Sequence, residues 1–162
     1  MRVRSLVLAA VTAFCVSPPC SAQATPASTG DEAAVRAVIA QLFDGMRARD
    51  SAMVASAFAP GAKLISSGIK QGAPVVDPIT ATDFASMVGK ATGAKWDERI
   101  HDVTMQFDNG TLAAVWAPYE FYLGDTFSHC GVDAFHVAKL PEGWKIIALS
   151  DTHRREGCGQ GK

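Results

Sequence analysis

From residue 31 onward the chain carries two hydrophobic periods, that of a helix first and that of a strand later. Val35, Val38, Ile39, Leu42, Phe43 and Met46 recur at spacings of three and four, which puts one broad apolar stripe on a helix. Arg36, Gln41, Asp44, Arg47 and Arg49 fall on the other face. Thr29 followed by Glu32 has the form of a capping box, so the spacing predicts a helix near 31–49 that braces a sheet. Asp50 caps a second, shorter helix with Met53, Val54 and Phe58, and Pro60-Gly61 stops it. Ala62 to Ser67 is a short strand. Gly68 to Pro78, with two Gly and two Pro, is a loop. Thr80 or Thr82 caps a third helix that ends at Gly93, with Phe84, Met87 and Val88 on one side. These apolar side chains and Met53 are packing between helix and sheet.

Beyond Gly93 the period changes to two. Trp96–Phe107, Thr111–Leu123, Thr126–Ala138 and Trp144–Arg154 form four strands in succession. Asp108-Asn109-Gly110, Gly124-Asp125 and Leu140-Pro141-Glu142-Gly143 supply the turns. Helices first and an antiparallel meander last predict an α+β domain whose curved sheet packs on helices and can enclose a cavity.

Hairpin parity names candidate residues for that cavity. With Gly124-Asp125 as a two-residue turn, Tyr122 faces Phe127, Glu120 faces His129, Pro118 faces Gly131 and Trp116 faces Asp133. Phe135 lies further along the same face. The opposite face carries Tyr119, Phe121 and Cys130, and a turn miscounted by one residue exchanges the two faces. Trp116, Glu120, His129, Asp133 and Phe135 suit a ligand pocket with apolar walls and a few orienting polar groups. His129 with Asp133 or Glu120 is also a candidate acid–base set, because imidazole titrates near neutrality. Trp116 as core and Glu120–His129 as a surface pair are the alternatives. Asp133 stands out because its neighbours Val132, Ala134 and Phe135 are apolar, and a buried carboxylate needs partners. Asp151 and His153 share a face of the last strand and are placed at a rim or on the surface. Arg99 and His101 share a face with Val103 and Met105, at the cavity mouth or an exposed strand end.

The first residues have a different character. Arg2 and Arg4 precede an apolar stretch from Leu6 to Val16, then Pro18-Pro19 and Ala22-Gln23-Ala24. That is the pattern of an export signal over 1–24 with an A-x-A cleavage site, and its apolar run is too short to anchor in a bilayer. Cys15 and Cys20 lack the residues expected before a lipid-modified cysteine. Cleavage leaves about 138 residues, the length of one domain. The divisions are then a flexible mature start at 25–30, a domain at 31–158 and a tail at 159–162. Of 15 basic and 16 acidic residues the leader holds two Arg and no acid, so the mature chain is three charges negative. It lacks a basic cluster longer than Arg154-Arg155, which argues against nucleic acid as a partner. An exported chain with Cys130 and Cys158 as its remaining cysteines most simply pairs them. Such a bond is worth roughly 3–4 kcal/mol in the chain-entropy account, and two free buried thiols are the alternative. His129, His136 and His153 lack metal-ligand spacing with these cysteines, so neither a metal nor a cofactor is expected.

Several local strings resemble a known family. They are Arg47-Ala48-Arg49-Asp50 between the helices, Phe58-Ala59-Pro60-Gly61-Ala62, Gly110-Thr111-Leu112-Ala113-Ala114-Val115-Trp116, and the closing Gly143-Trp144-Lys145-Ile146. On these the chain resembles the nuclear transport factor 2-like superfamily, in its SnoaL-like and putative lumazine-binding branches, over about residues 30 to 155. The resemblance implies a cone-shaped fold with a pocket. It does not fix an activity, because that superfamily includes isomerases, dehydratases, cyclases, binding proteins and modules without evident activity.

Three functions follow as expectations. The first is a periplasmic or secreted domain that binds a small, partly aromatic or apolar molecule, with no membrane contact once the leader is removed. The second is an isomerase- or dehydratase-type enzyme using a His/carboxylate pair. The third is a homodimerising interaction module without an active pocket. Neither a nucleophile elbow nor a phosphate loop is present, and acid–base chemistry of the second kind needs none.

Overall fold

Ser28, one residue earlier than the capping box suggested, opens the first helix in the computed structural model, which describes residues 28–159. The proposed leader, the start of the mature chain at 25–27 and the end of the tail at 160–162 lie outside the described residues. The Ser28 hydroxyl accepts from the Asp31 amide at 3.1 Å and donates to the Asp31 carboxylate at 2.8 Å. It wins over Thr29 because Asp31, rather than Glu32, returns the bond. Helix α1 runs Thr29–Ala48, and all six residues of its stripe are buried. Arg49, with φ 56°, ends it in the left-handed region, and Asp50 then caps α2 (Ser51–Ala57) by accepting from the Met53 amide at 2.9 Å.

Phe58 leaves the helix and begins strand β1 (Phe58–Lys70) instead of ending α2. Next comes β2 (Ala73–Thr80), antiparallel to β1, where the composition suggested a loop. Two features reconcile Gly and Pro with a hairpin. Gln71 and Gly72 take the turn with φ 53° and 80°, as a two-residue hairpin requires. Pro74 and Pro78 sit on an edge strand, where a missing amide costs no ladder bond. Thr80 caps α3 (Ala81–Lys90), which stops short of Gly93.

The first long strand of the meander is divided into β3 (Trp96–Ile100) and β4 (Thr104–Asp108). Both pair with β5 (Leu112–Leu123), β3 against its end and β4 against its start. The break lies opposite Pro118, whose carbonyl accepts from the His101 amide at 2.9 Å. Pro118 has no N–H to return on that side, so the ladder cannot continue, and Asp102 turns the chain with φ 46°. Strands β6 (Thr126–Leu140) and β7 (Gly143–Thr152) complete the sheet in the order β2-β1-β7-β6-β5-β3. The sheet is curved and mixed rather than wholly antiparallel, because β7 returns beside β1 in the parallel sense.

The core lies between the helices and the concave face. Phe43 of α1 meets Phe135 of β6 edge-on at 6.3 Å. Ala113, Val115, Ala117, Val137 and Ile146 close the floor with almost no exposed surface. The Asp31 carboxylate fastens the start of α1 to the sheet, accepting from Lys139 at 2.8 Å and the Trp144 indole at 3.0 Å. Those two bonds, Lys139 first, hold its pKa down at about 2. A disulfide joins Cys130 of β6 to Cys158 beyond β7, and Cys130 exchanges two backbone hydrogen bonds of 2.9 Å with Arg154.

Candidate functional site

One extra residue decides which side chains face the cavity. Leu123 pairs with Thr126 and Tyr122 with Phe127, as the turn requires, but Phe121 then pairs with His129, leaving Ser128 bulged out of the ladder. Every pairing further from the turn moves by one. Glu120 faces Cys130, Pro118 faces Val132, Trp116 faces Ala134, and Ala117 faces Asp133. The expected cluster is thereby divided between two faces. His129, Asp133 and Phe135 point inward, together with Tyr119 and Phe121. Trp116 points outward and is 55% exposed. Glu120 is also on the outer side, where it accepts from the Tyr122 hydroxyl at 2.7 Å. Neither Trp116 nor Glu120 can serve the cavity.

The cavity occupies about 490 Å³ between α1, α3 and the concave sheet. Leu42, Phe43 and Met46 form its helical roof, and Phe84 and Met87 of α3 close one side. Leu64, Leu149, Phe121 and Trp96 supply apolar wall from the sheet. Its polar residues are Ser66, Glu98, Tyr119, His129, Asp133, Asp151 and His153. Asp151 and His153, placed by sequence at a rim, therefore belong to the lining. Arg99 and His101 are exposed and lie outside it.

Glu98 and Asp133 are the central pair. Asp133 is only 2% exposed, and its Oδ2 has no N–H or O–H donor facing it. Burial first, then the neighbouring Glu98 charge, raises its pKa far above the usual carboxylate range. Burial therefore favours the protonated form of Asp133, from which a proton can be shared with Glu98. The Glu98 residue retains some surface where it borders the cavity, but its carboxyl group lies deep. Burial pushes that carboxyl up to about 7, while the bond with Asp133 pulls it down. Two acids sharing one proton in an apolar site give one donor and one acceptor. The sequence does carry a signal for Glu98. It lies between Trp96 and Ile100 on one strand face, much as Asp133 lies among apolar residues. The break at Asp102 cuts that face short after Ile100, so the alternation does not continue to Phe107.

A second polar group surrounds Asp151. Its carboxylate accepts from the Ser66 hydroxyl at 2.6 Å and pairs with His153 Nε2 at 2.7 Å. The bond to Asp151 raises the His153 pKa, so His153 favours the charged form. His129 goes the other way, lowered by burial and then by the positive His153. Its ring stacks on Phe121 at 4.8 Å and meets His153 edge-on at 5.0 Å. The Tyr119 hydroxyl donates to the Thr152 carbonyl at 2.8 Å. Burial raises its pKa, so it stays a phenol. Gly131 makes that contact possible, since a Cβ there would lie 1.7 Å from the Thr152 oxygen and 2.7 Å from the Tyr119 ring. Among the described residues, no group of three or more His, Cys, Asp or Glu is arranged to hold a metal ion.

Comparison with known proteins is consistent with this architecture. A protein-family profile described as "Putative lumazine-binding" matches residues 30–150. No curated protein sequence matches the chain. Among solved structures, it is similar to a domain of unknown function with a cystatin-like fold from Nostoc punctiforme. That pair shares 22% identity over 78% of this chain and 79% of the other, with a TM-score of 0.61. A nuclear transport factor 2-like protein with a cystatin-like fold from Novosphingobium aromaticivorans is 12% identical over 80% and 85% of the two chains, at a TM-score of 0.63. A protein from the same organism, described as a putative aromatic ring hydroxylase, is 17% identical over 79% and 92%, at 0.64. At such identities the likeness concerns the fold.

Proposed function

The chain belongs to the putative lumazine-binding family of the nuclear transport factor 2-like superfamily, and on that premise we propose that it is an exported domain that binds a small, largely apolar molecule in its cone. The observation that carries this reading is the cavity of about 490 Å³, apolar on most sides, with its hydrogen-bonding groups gathered on the sheet wall, from β1, β3, β5, β6 and the end of β7. Such a site gains affinity from burying apolar surface and sets orientation through a few polar contacts. The neutral Asp133 and the Tyr119 phenol favour a ligand whose inner end is uncharged. Periplasmic or secreted residence is part of the proposal, supported by the leader pattern at 1–24 and by the Cys130–Cys158 bond.

The test uses N-phenyl-1-naphthylamine, an uncharged fluorescent probe. The protein should bind one equivalent, and Leu64→Trp, which fills the cavity from β1, should abolish binding while the fold persists. Absence of binding in the unaltered protein, or full binding by Leu64→Trp, overturns the reading.

A second reading, acid–base catalysis, has its own observation in the raised Glu98 carboxyl beside a protonated Asp133. Above its pKa of about 7, Glu98 is a base in an apolar site, with Asp133 as a hydrogen-bond donor. Exchange of the α-protons of cyclohexanone with deuterated water, followed by nuclear magnetic resonance, tests it. Glu98→Gln should slow the exchange by roughly 10²–10⁴-fold. Exchange no faster than in buffer alone removes the reading without touching the first.

A further inference from the structure

His129 and His153 line two spaces in common. One is the apolar cavity; the other is a recess of about 450 Å³ whose remaining walls are Arg154 and Arg155. Arg154 and Arg155 are exposed, and neither forms an ion pair among the described residues. The segment that presents them is fixed at both ends. Arg154 is bonded through its backbone to Cys130, and Cys158 is bonded to the same cysteine through sulfur. Nearby acids do not neutralise the recess. Asp151 is taken up by Ser66 and His153 on the cavity side, and Glu156, which borders the neighbouring hairpin recess together with Arg154 and Arg155, forms no ion pair with either arginine among the described residues. The inner wall of the cavity has the opposite character, because the Asp151 carboxylate and the Glu98–Asp133 pair, whose one shared proton is already engaged between them, disfavour a further negative charge there.

Resting on the cavity as a ligand site, we infer that this recess is an anion subsite, so that the natural ligand is an amphipathic acid. Its apolar body would lie in the cone. Its carboxylate or similar anionic head would lie outside, beside His153, Arg154 and Arg155. The two regions order the ligand, since an anion placed inward meets Asp151 and the Glu98–Asp133 pair, and an anion placed outward meets two unpaired guanidinium groups. Arginine suits the role because its planar donors match the oxygens of a carboxylate or sulfonate.

A matched pair of probes tests the inference. 8-Anilinonaphthalene-1-sulfonate is N-phenyl-1-naphthylamine with an added sulfonate, so their difference reports the anion alone. The sulfonate should bind about tenfold more tightly than the neutral probe, be displaced by it, and weaken as salt rises, since exposed charges are screened. Arg154→Gln/Arg155→Gln should remove that advantage, about tenfold, and leave the neutral probe within about twofold, the loss expected for one exposed charge-assisted contact. Equal affinity for the two probes in the unaltered protein, or a double variant that weakens both alike or neither, overturns the anion subsite. Those outcomes leave the cavity reading standing, because the neutral probe still binds. Only failure of the neutral probe removes that reading as well.

Discussion

Replacing Glu98 by glutamine should leave the protein about as stable as before near pH 5 and more stable near pH 8. Burial raises the Glu98 carboxyl from 4.5 to about 7 in the folded protein. The unfolded chain has no such burial, so there the group ionises near its ordinary value. Between the two values the folded state keeps a proton that the unfolded chain has released, and stability falls as pH rises. The favourable contribution is complete below about pH 4.5 and gone above about pH 7. At about 1.4 kcal/mol for each tenfold change in proton affinity, the loss is about 3 kcal/mol. Glutamine keeps the shape, cannot ionise and can still bond Asp133. The variant should therefore lose most of this slope, and Glu98→Gln/Asp133→Asn should lose whatever Asp133 contributes. Urea unfolding followed by tryptophan fluorescence at about pH 5, 6, 7 and 8 gives the curves. Parallel curves for the variant and the unaltered protein, or a variant less stable near pH 8, would refute the assignment of the shared proton.

The remaining predictions concern the frame around the site. Cys158→Ser should cost about 3–4 kcal/mol, the chain-entropy value for a loop of this length, and reductant should produce the same loss in the unaltered protein but none in the variant. Gly131→Ala places a methyl 1.7 Å from the Thr152 carbonyl oxygen, and thermal unfolding should show a loss of about 3 kcal/mol from overpacking. Phe135→Ala should cost about 3–5 kcal/mol as a large buried side chain, whereas Trp116→Ser on the outer face should cost under about 0.5 kcal/mol. Comparable losses at both positions in chemical denaturation would show that the face assignment is wrong.

The helical part of the fold was legible because its signals are redundant. Six stripe residues agree on one face of α1, and Asp50 and Thr80 both cap the helices that follow them. The hairpin at Asn109-Gly110 was equally plain. The site was harder for a local reason. Strand faces depend on counting, and Ser128 adds one residue to the count without a Gly or Pro to mark it. His129, Asp133 and Phe135 remained together because they share parity on β6, while Trp116 and Glu120 were carried to the wrong side with the rest of β5. Glu98 had a local signal in the alternation of Trp96, Glu98 and Ile100, but its pairing with Asp133 and the inward position of Asp151 depend on strand neighbours far away in sequence. The β1–β2 hairpin was hidden for a different reason. Its Gly and Pro content is that of a loop, and only edge position makes it compatible with a strand.

The parallel pairing of β1 with β7 joins residues 58–67 to residues 146–152, which has a consequence for the order of assembly. A chain emerging from its N-terminus can form the helices and the β1–β2 hairpin early, because those contacts are local. It cannot seat β1 until β7 has arrived, nearly ninety residues later. Leu149 and Asp151 are borne by that last strand and His153 follows it directly, so the chamber comes into being only with the final tenth of the domain. A chain truncated before Gly143 would present two unpaired strand edges and an uncovered apolar surface, the condition that invites association between chains. Formation of the chamber would then report that the chain had been made at least as far as His153.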